Sequence, residues 1–281
     1  MDWNLIADSS CDLRSANFSP PQHTDCRYAN IPFLLEIGGE AFVDDDSLDS
    51  DRMVDAMEHC RHASHSACPA PGAWLEEFRK AKNSVAVTIS SGVSGSYASA
   101  LAAKNMALEE DPNRNICVID SLSAGPALAM ILQKAAGYIE EGQTFDALSD
   151  RLSRYARSLK TYFALSSYEN LVKSGRISRL SGFVAGKLGI RAVGTANEEG
   201  RIVLKHKTRG AARLLSLLLD EMGHSGFCGG SVYVSHCQNS ELAEKFRQSV
   251  LLRWPRAQVT VLETRGLCSY YAERSGLITA F

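Results

Sequence analysis

VAVTISSGVSGSYASA, residues 85–100, decides the fold. Val85, Val87 and Ile89 are β-branched and apolar, the composition of a strand buried in a parallel sheet. Four serines and two glycines then fall within residues 90–96, and from Tyr97 the chain is rich in Ala and Leu, which favour helix. Strand, polar loop and helix in that order bring hydroxyls and unpaired N–H groups to a helix N-terminus, a place that favours an anion. The same unit recurs. Trp3–Ala7 runs into Asp8, Ser9, Ser10, Cys11 and Asp12; Ile116–Asp120 runs into Ser121, Ser123, Ala124 and Gly125 and then a helix over Leu128–Glu141. In open α/β sheets the carboxyl ends of the strands carry the ligands.

Working outward, Ile31–Ile37 (IPFLLEI) reads as a second strand with a turn at Gly38-Gly39. The acidic group Asp44, Asp45, Asp46 and Asp49 lacks the spacing of a calcium loop and reads as solvated and helix-capping, ahead of a helix over Asp51–Cys60. His59, His62, His65 and Cys68 recur every three residues, a spacing that invites zinc. Pro69 and Pro71 break the helix that would align them, and we read a helix end and a polar loop. A long amphipathic helix covers Thr144–Lys160, and the pattern changes after it. Tyr162–Leu165 is a strand, Ser181–Leu188 a small-residue helix, and Ile190–Thr195 with Arg201–His206 a hairpin turning at Asn197–Gly200. Strands at Ser231–His236 and Gln258–Leu262, the last clear one, alternate with two further helices. The expectation is a two-domain α/β protein: residues 1–158 a doubly wound parallel α/β/α sheet, residues 159–281 an α+β domain with a mixed sheet.

Composition narrows the function. The chain has 281 residues, 45% hydrophobic and 22% charged, enough for a sizeable core. A net charge of −2 argues against a nucleic-acid binder. There is no basic leader and no run that spans a bilayer, which predicts a cytoplasmic protein whose membrane contact is at most transient. Eight cysteines without a C-x-x-C pair read as reduced thiols. Gly92-Val93-Ser94-Gly95-Ser96 lacks the final glycine of a nucleophile elbow, and neither a phosphate loop nor G-x-G-x-x-G follows any strand. What remains is a binding loop at Ser90–Ser96. The basic residues Lys173, Arg176, Arg179 and Lys187 are, by composition alone, an ordinary solvated face.

Five stretches together resemble the DegV family: IADSSCDL, SACPAPG (66–72), TISSGVSGSYASA, VIDSLSAGPAL and LVKSGRISRLSGFVAGKLGIRAV. The resemblance implies a non-enzymatic protein that buries a long-chain fatty acid and presents its carboxylate to a separate kinase subunit, with no cofactor besides the lipid. By position it puts the carboxylate at Ser66 and Ser94, with Ser91 and Gly95 beside them, and kinase or phosphate contacts at Arg176 and Arg209. The family's C-terminal histidine has no counterpart in GLCSYYAERSGLITAF, so Tyr270 or Tyr271 is the expected donor in its place. Two other readings stay open: a serine-dependent hydrolase or transferase using a loop serine, and, from the missing histidine, a carrier or regulator for a different lipid.

Overall fold

The computed structural model describes residues 2–60, 64–177 and 190–281. The expected helix over Ser181–Leu188, and the residues Arg179, Lys187 and His62, lie outside them. In chain order the first half runs β1 (Trp3–Asp8), β2 (Cys26–Ile31), β3 (Leu34–Ile37), β4 (Glu40–Val43), α1 (Ser50–His59), β5 (His65–Ala67), α2 (Pro71–Phe78), β6 (Asn83–Thr88), α3 (Ser96–Glu110), β7 (Asn115–Asp120), α4 (Pro126–Glu140) and α5 (Phe145–Ser158). The second runs β8 (Thr161–Leu165), α6 (Glu169–Lys173), β9 (Ile190–Ala196), β10 (Ile202–Arg209), α7 (Ala211–His224), β11 (Ser231–His236), α8 (Ser240–Arg253), β12 (Gln258–Glu263), α9 (Gly266–Ala272) and β13 (Leu277–Ala280).

Three sheets result. β2-β1-β6-β7 is all parallel, as the apolar, fully buried β1 requires. Trp74 and Phe78 of α2 with Ala100, Ala103 and Ala107 of α3 cover one face; α4 and α5 cover the other. The mixed sheet β10-β9-β8-β13-β11-β12 has one parallel pair, β11 with β12, and α7 and α8 pack on its outer side. The fold is thus α/β, with a parallel sheet first and a mixed sheet second. α4 packs against both sheets, which is why PALAMILQKAAGYI is apolar nearly all round. The change of sheet falls between α5 and β8.

The segment between β2 and α2 departs from expectation. Ile31–Ile37 is two strands in two sheets. Pro32 has no N–H to give a ladder, and the next N–H, of Phe33, goes to Ser9 Oγ at 2.9 Å. β3 then forms a small antiparallel sheet, β4-β3-β5, whose last strand occupies the stretch read as polar loop. Its inward residues Phe33, Leu35 and Phe42 pack with Met53 and Val54 of α1 against Phe163, Leu165 and Leu267 of the second half. Asp49 caps α1 as expected, accepting from Arg52 N at 2.9 Å. Asp44 is not solvated: it is buried and accepts from Gly266 N at 2.8 Å and Leu267 N at 2.7 Å, close to the buried Arg265. Gln258–Leu262 is not the last strand either, since the four buried residues of β13 insert between β8 and β11.

Candidate functional site

The serine loop is built on Asp8, at the carboxyl end of β1. Asp8 Oδ2 accepts from Ile89 N at 2.9 Å and Ser96 Oγ at 2.6 Å; Oδ1 accepts from Ser10 N at 3.2 Å and Ser10 Oγ at 2.5 Å. Burial pushes its pKa above the ordinary carboxylate value, opposed by these four hydrogen bonds. Inside the loop, Gly92 N donates to Ser90 Oγ at 3.0 Å, and Val93 N and Ser94 N both reach Ser90 O at 3.2 Å. Ser90 Oγ donates to Gly200 O at 2.8 Å, so the turn between β9 and β10 is fastened to the loop. There is no room between them: a Cβ on Gly200, whose φ is +70°, would lie 2.0 Å from Ser90 Oγ, and one on Gly92 would lie 2.4 Å from Glu199 O.

Beneath the loop is a cavity of about 380 Å³. Its wall is mostly apolar, with Phe33, Ile89, Phe163, Leu165, Leu171 and Ile278. Polar groups gather where the serine loop, β5 and α9 meet. Ser66, Ser94, Gly95, Tyr271 and Arg176 all line this cavity. Ser66 Oγ lies 2.9 Å from Tyr271 Oη. Ser94 Oγ accepts from Ser96 N, the first N–H of α3, at 3.3 Å, and Gly95 stands at the N-cap without a side-chain cap. Arg176 Nε donates to Val93 O at 3.3 Å and Nη1 to Ser174 O at 2.7 Å, which holds the guanidinium at the loop. Among the described lining residues it is the one charged side chain, with no histidine or carboxylate to act as a base toward Ser94.

Three expected residues lie elsewhere. Ser91 is exposed, and its N–H goes to Asp120 Oδ1 at 3.1 Å; the loop turns it outward. Tyr270 neighbours Tyr271 on α9 but leaves the helix in another direction, to Ser64 Oγ at 2.6 Å, and is fully buried. Arg209 ends β10, seven residues beyond its start at Ile202, and so stands far from the turn that touches the serine loop. The arginine at that turn is Arg201, whose Cγ would come within 3.1 Å of a Cβ on Gly92. Sequence reading also missed Ser123 and Thr161, which line the cavity 2.5 Å from each other. Ser123 was visible as part of a polar loop after a strand; Thr161 had no signal, because its partner is 38 residues away.

The family model described as "Uncharacterised protein, DegV family" matches residues 2–275. A DegV domain-containing protein of Streptococcus pyogenes serotype M1 is 40% identical over 281 residues, covering 100% of this chain and 99% of the relative. The crystal structure of the Streptococcus pneumoniae fatty acid kinase (Fak) B3 protein loaded with linoleic acid superposes with a TM-score of 0.96 at 38% identity, over 100% of this chain and 99% of that one. A DegV family protein from Eubacterium eligens loaded with heptadecanoic acid gives 0.92 at 35% identity, over 99% and 98%.

Proposed function

Because the chain belongs to the DegV family, we propose that its cavity holds a long-chain fatty acid and offers the carboxylate to a separate kinase subunit. The observation that carries this reading is the spare hydrogen-bonding capacity at one end of an apolar cavity. Ser66 and Tyr271 share one contact, which uses one of their two hydroxyl hydrogens. Ser94 Oγ accepts a bond, and its own O–H has no acceptor among the described residues. Two O–H donors and the Arg176 guanidinium therefore face the cavity, a set that suits a carboxylate. Burying the chain is favourable by about 0.8 kcal/mol per CH₂, and the donors offset the cost of taking the charge out of water. Fatty acids bound in the pneumococcal and Eubacterium structures support the ligand class, and the kinase named for the pneumococcal protein supports the partner.

In this reading residues 1–158 supply the head-group loop and residues 159–281 most of the acyl wall. The protein does no chemistry itself, needs no cofactor beyond the lipid, and works in the cytoplasm with its kinase; among the described residues no helix is long and apolar enough to cross a membrane. Arg176, at the serine loop, and Arg209, at the end of β10, take the kinase- or phosphate-facing role that the family resemblance implies. Mass spectrometry of lipid extracted from native protein, followed by fatty-acid titration of Ser94→Ala, tests the reading. The expected result is a bound fatty acid and an affinity lowered roughly tenfold or more, the worth of a charge-assisted hydrogen bond. Protein that carries no acyl lipid and takes up none when it is added overturns it.

A further inference from the structure

We propose that the cavity has a second polar station, Ser123 with Thr161, which recognises an oxygen substituent, a hydroxyl or keto group, partway along the acyl chain. The proposal rests on the fatty-acid reading above and names the class of chain the site prefers. Ser123 Oγ and Thr161 Oγ1 are 2.5 Å apart, and the two residues are only 8% and 7% exposed. Each hydroxyl brings one hydrogen, and their contact uses one of the two. The surrounding groups are already engaged. Ser123 O accepts from Ser90 N at 2.8 Å and from Ser121 Oγ at 3.1 Å, and Ser123 N donates back to Ser121 Oγ at 3.1 Å. Thr161 O accepts from Thr195 Oγ1 at 2.8 Å. The remaining hydroxyl hydrogen has no acceptor among the described residues, and the space both residues share is the cavity they line. A buried donor without an acceptor is costly, and a plain hydrocarbon chain does nothing to relieve it.

The station stands apart from Ser66 and Tyr271, the α9 end of the carboxylate site. Thr161, Phe163 and Leu165 alternate along β8 and all face the cavity. The Leu165 end adjoins α9 and Tyr271, because Ser166 Oγ donates to Arg274 O at 2.7 Å and Asn170 Nδ2 to Tyr270 O at 2.8 Å. Thr161 is four residues back, roughly 13 Å along the strand. One carboxylate does not serve both ends, but a chain whose head lies at Tyr271 passes Thr161 well along its length. The serine loop and the 121–125 loop fix the pair in place, so an oxygen arriving there meets a donor that is already oriented.

The test is to titrate the wild-type protein with stearate and with hydroxystearates carrying the hydroxyl at successive mid-chain positions, then to repeat the series with Ser123→Ala and Thr161→Val. The expected result is an optimum position at which the hydroxy acid binds roughly two- to tenfold tighter than stearate. The ratio should fall toward one in either variant, whatever change the two ligands share, and Thr161→Ser should keep it. Stearate binding with no gain from a hydroxyl at any position overturns this proposal alone. Binding of none of the series, stearate included, overturns the fatty-acid reading together with it.

Discussion

Tyr270 and Tyr271 stand side by side in the sequence, and which of them reaches the cavity was not legible there. Neighbours on a helix point about 100° apart, so one reaches the cavity and the other does not. The deciding contacts are with Ser64 and Ser66, some 205 residues away, just before and on a strand too short and polar to be recognised. Tyr270 Oη goes to Ser64 and Tyr271 Oη to Ser66, with the two rings edge to face at 4.8 Å. The expected consequence is a division of labour. Tyr271→Phe should weaken fatty-acid binding by one hydrogen bond, about 0.5–3 kcal/mol according to how far the carboxylate assists it. Tyr270→Phe should leave the affinity in place and lower stability by about 1 kcal/mol, the net worth of a buried neutral hydrogen bond. Calorimetric titration and thermal melts of both variants check this; equal effects on affinity would put both phenols at the head group. Ser94 and Gly95 were legible as part of the serine loop and Ser66 only through the family resemblance, whereas nothing in the sequence showed the outward turn of Ser91 in the serine loop.

Among the elements, the hairpin of β9 and β10 shows what a pattern gives and what it withholds. Its strands and its turn were readable from alternating apolar residues around Asn-Glu-Glu-Gly. Its docking on the serine loop was not, because close approach is a property of two glycines far apart in the chain. Gly200 needs a positive φ for the turn and the absence of a Cβ to admit Ser90. Gly200→Ala should therefore cost about 1–2 kcal/mol for the left-handed backbone alone, and more for the clash. It should also lower fatty-acid affinity, since Gly200 and Ala196 form part of the cavity wall. Adding Ser90→Gly removes the clash but not the backbone cost, so the double variant should regain binding more fully than melting temperature. A Gly200→Ala protein that melts and binds like wild type would mean that the turn is free of the loop.

Across the whole molecule, the two sheets are joined by groups that no local pattern reveals. α9 and β13 lie in the last sixteen residues; both are short and buried, and tertiary pairing rather than propensity forms them. α9 is received by carboxylates of the first half. Asp44 binds the N–H groups of Gly266 and Leu267, Asp46 pairs with Arg265 at 2.6 Å, and Asp12 Oδ1 accepts from Arg265 N at 2.9 Å. Asp12 is the most exacting of these. It is buried, and burial pushes its pKa up to about 6 from an ordinary 3.8, only partly opposed by hydrogen bonding from Ser235, Arg265 N and Cys268. The folded protein therefore binds this proton before the unfolded chain does, and between about pH 6 and 4 its contribution to stability rises as pH falls. At neutral pH the ionised carboxylate costs roughly 3 kcal/mol of stability. Asp8 and Asp44 are also pushed up by burial and act in the same direction. The opposite trend belongs to His236, whose pKa burial lowers, and to Glu221: burial raises the Glu221 pKa, but hydrogen bonds from Lys205 and His206 outweigh that and hold it down at about 2, so its contribution is lost only at lower pH. Wild-type protein should accordingly melt higher at pH 5 than at pH 7 before losing stability in stronger acid. Asp12→Asn keeps an acceptor for Arg265 N and removes the charge, so it should melt higher than wild type at pH 7 and gain less between pH 7 and 5. Thermal melts of the two proteins across that range decide the matter: a wild-type melting temperature that falls steadily from pH 7, in parallel with Asp12→Asn, would show that the buried carboxylate at this junction carries no such cost.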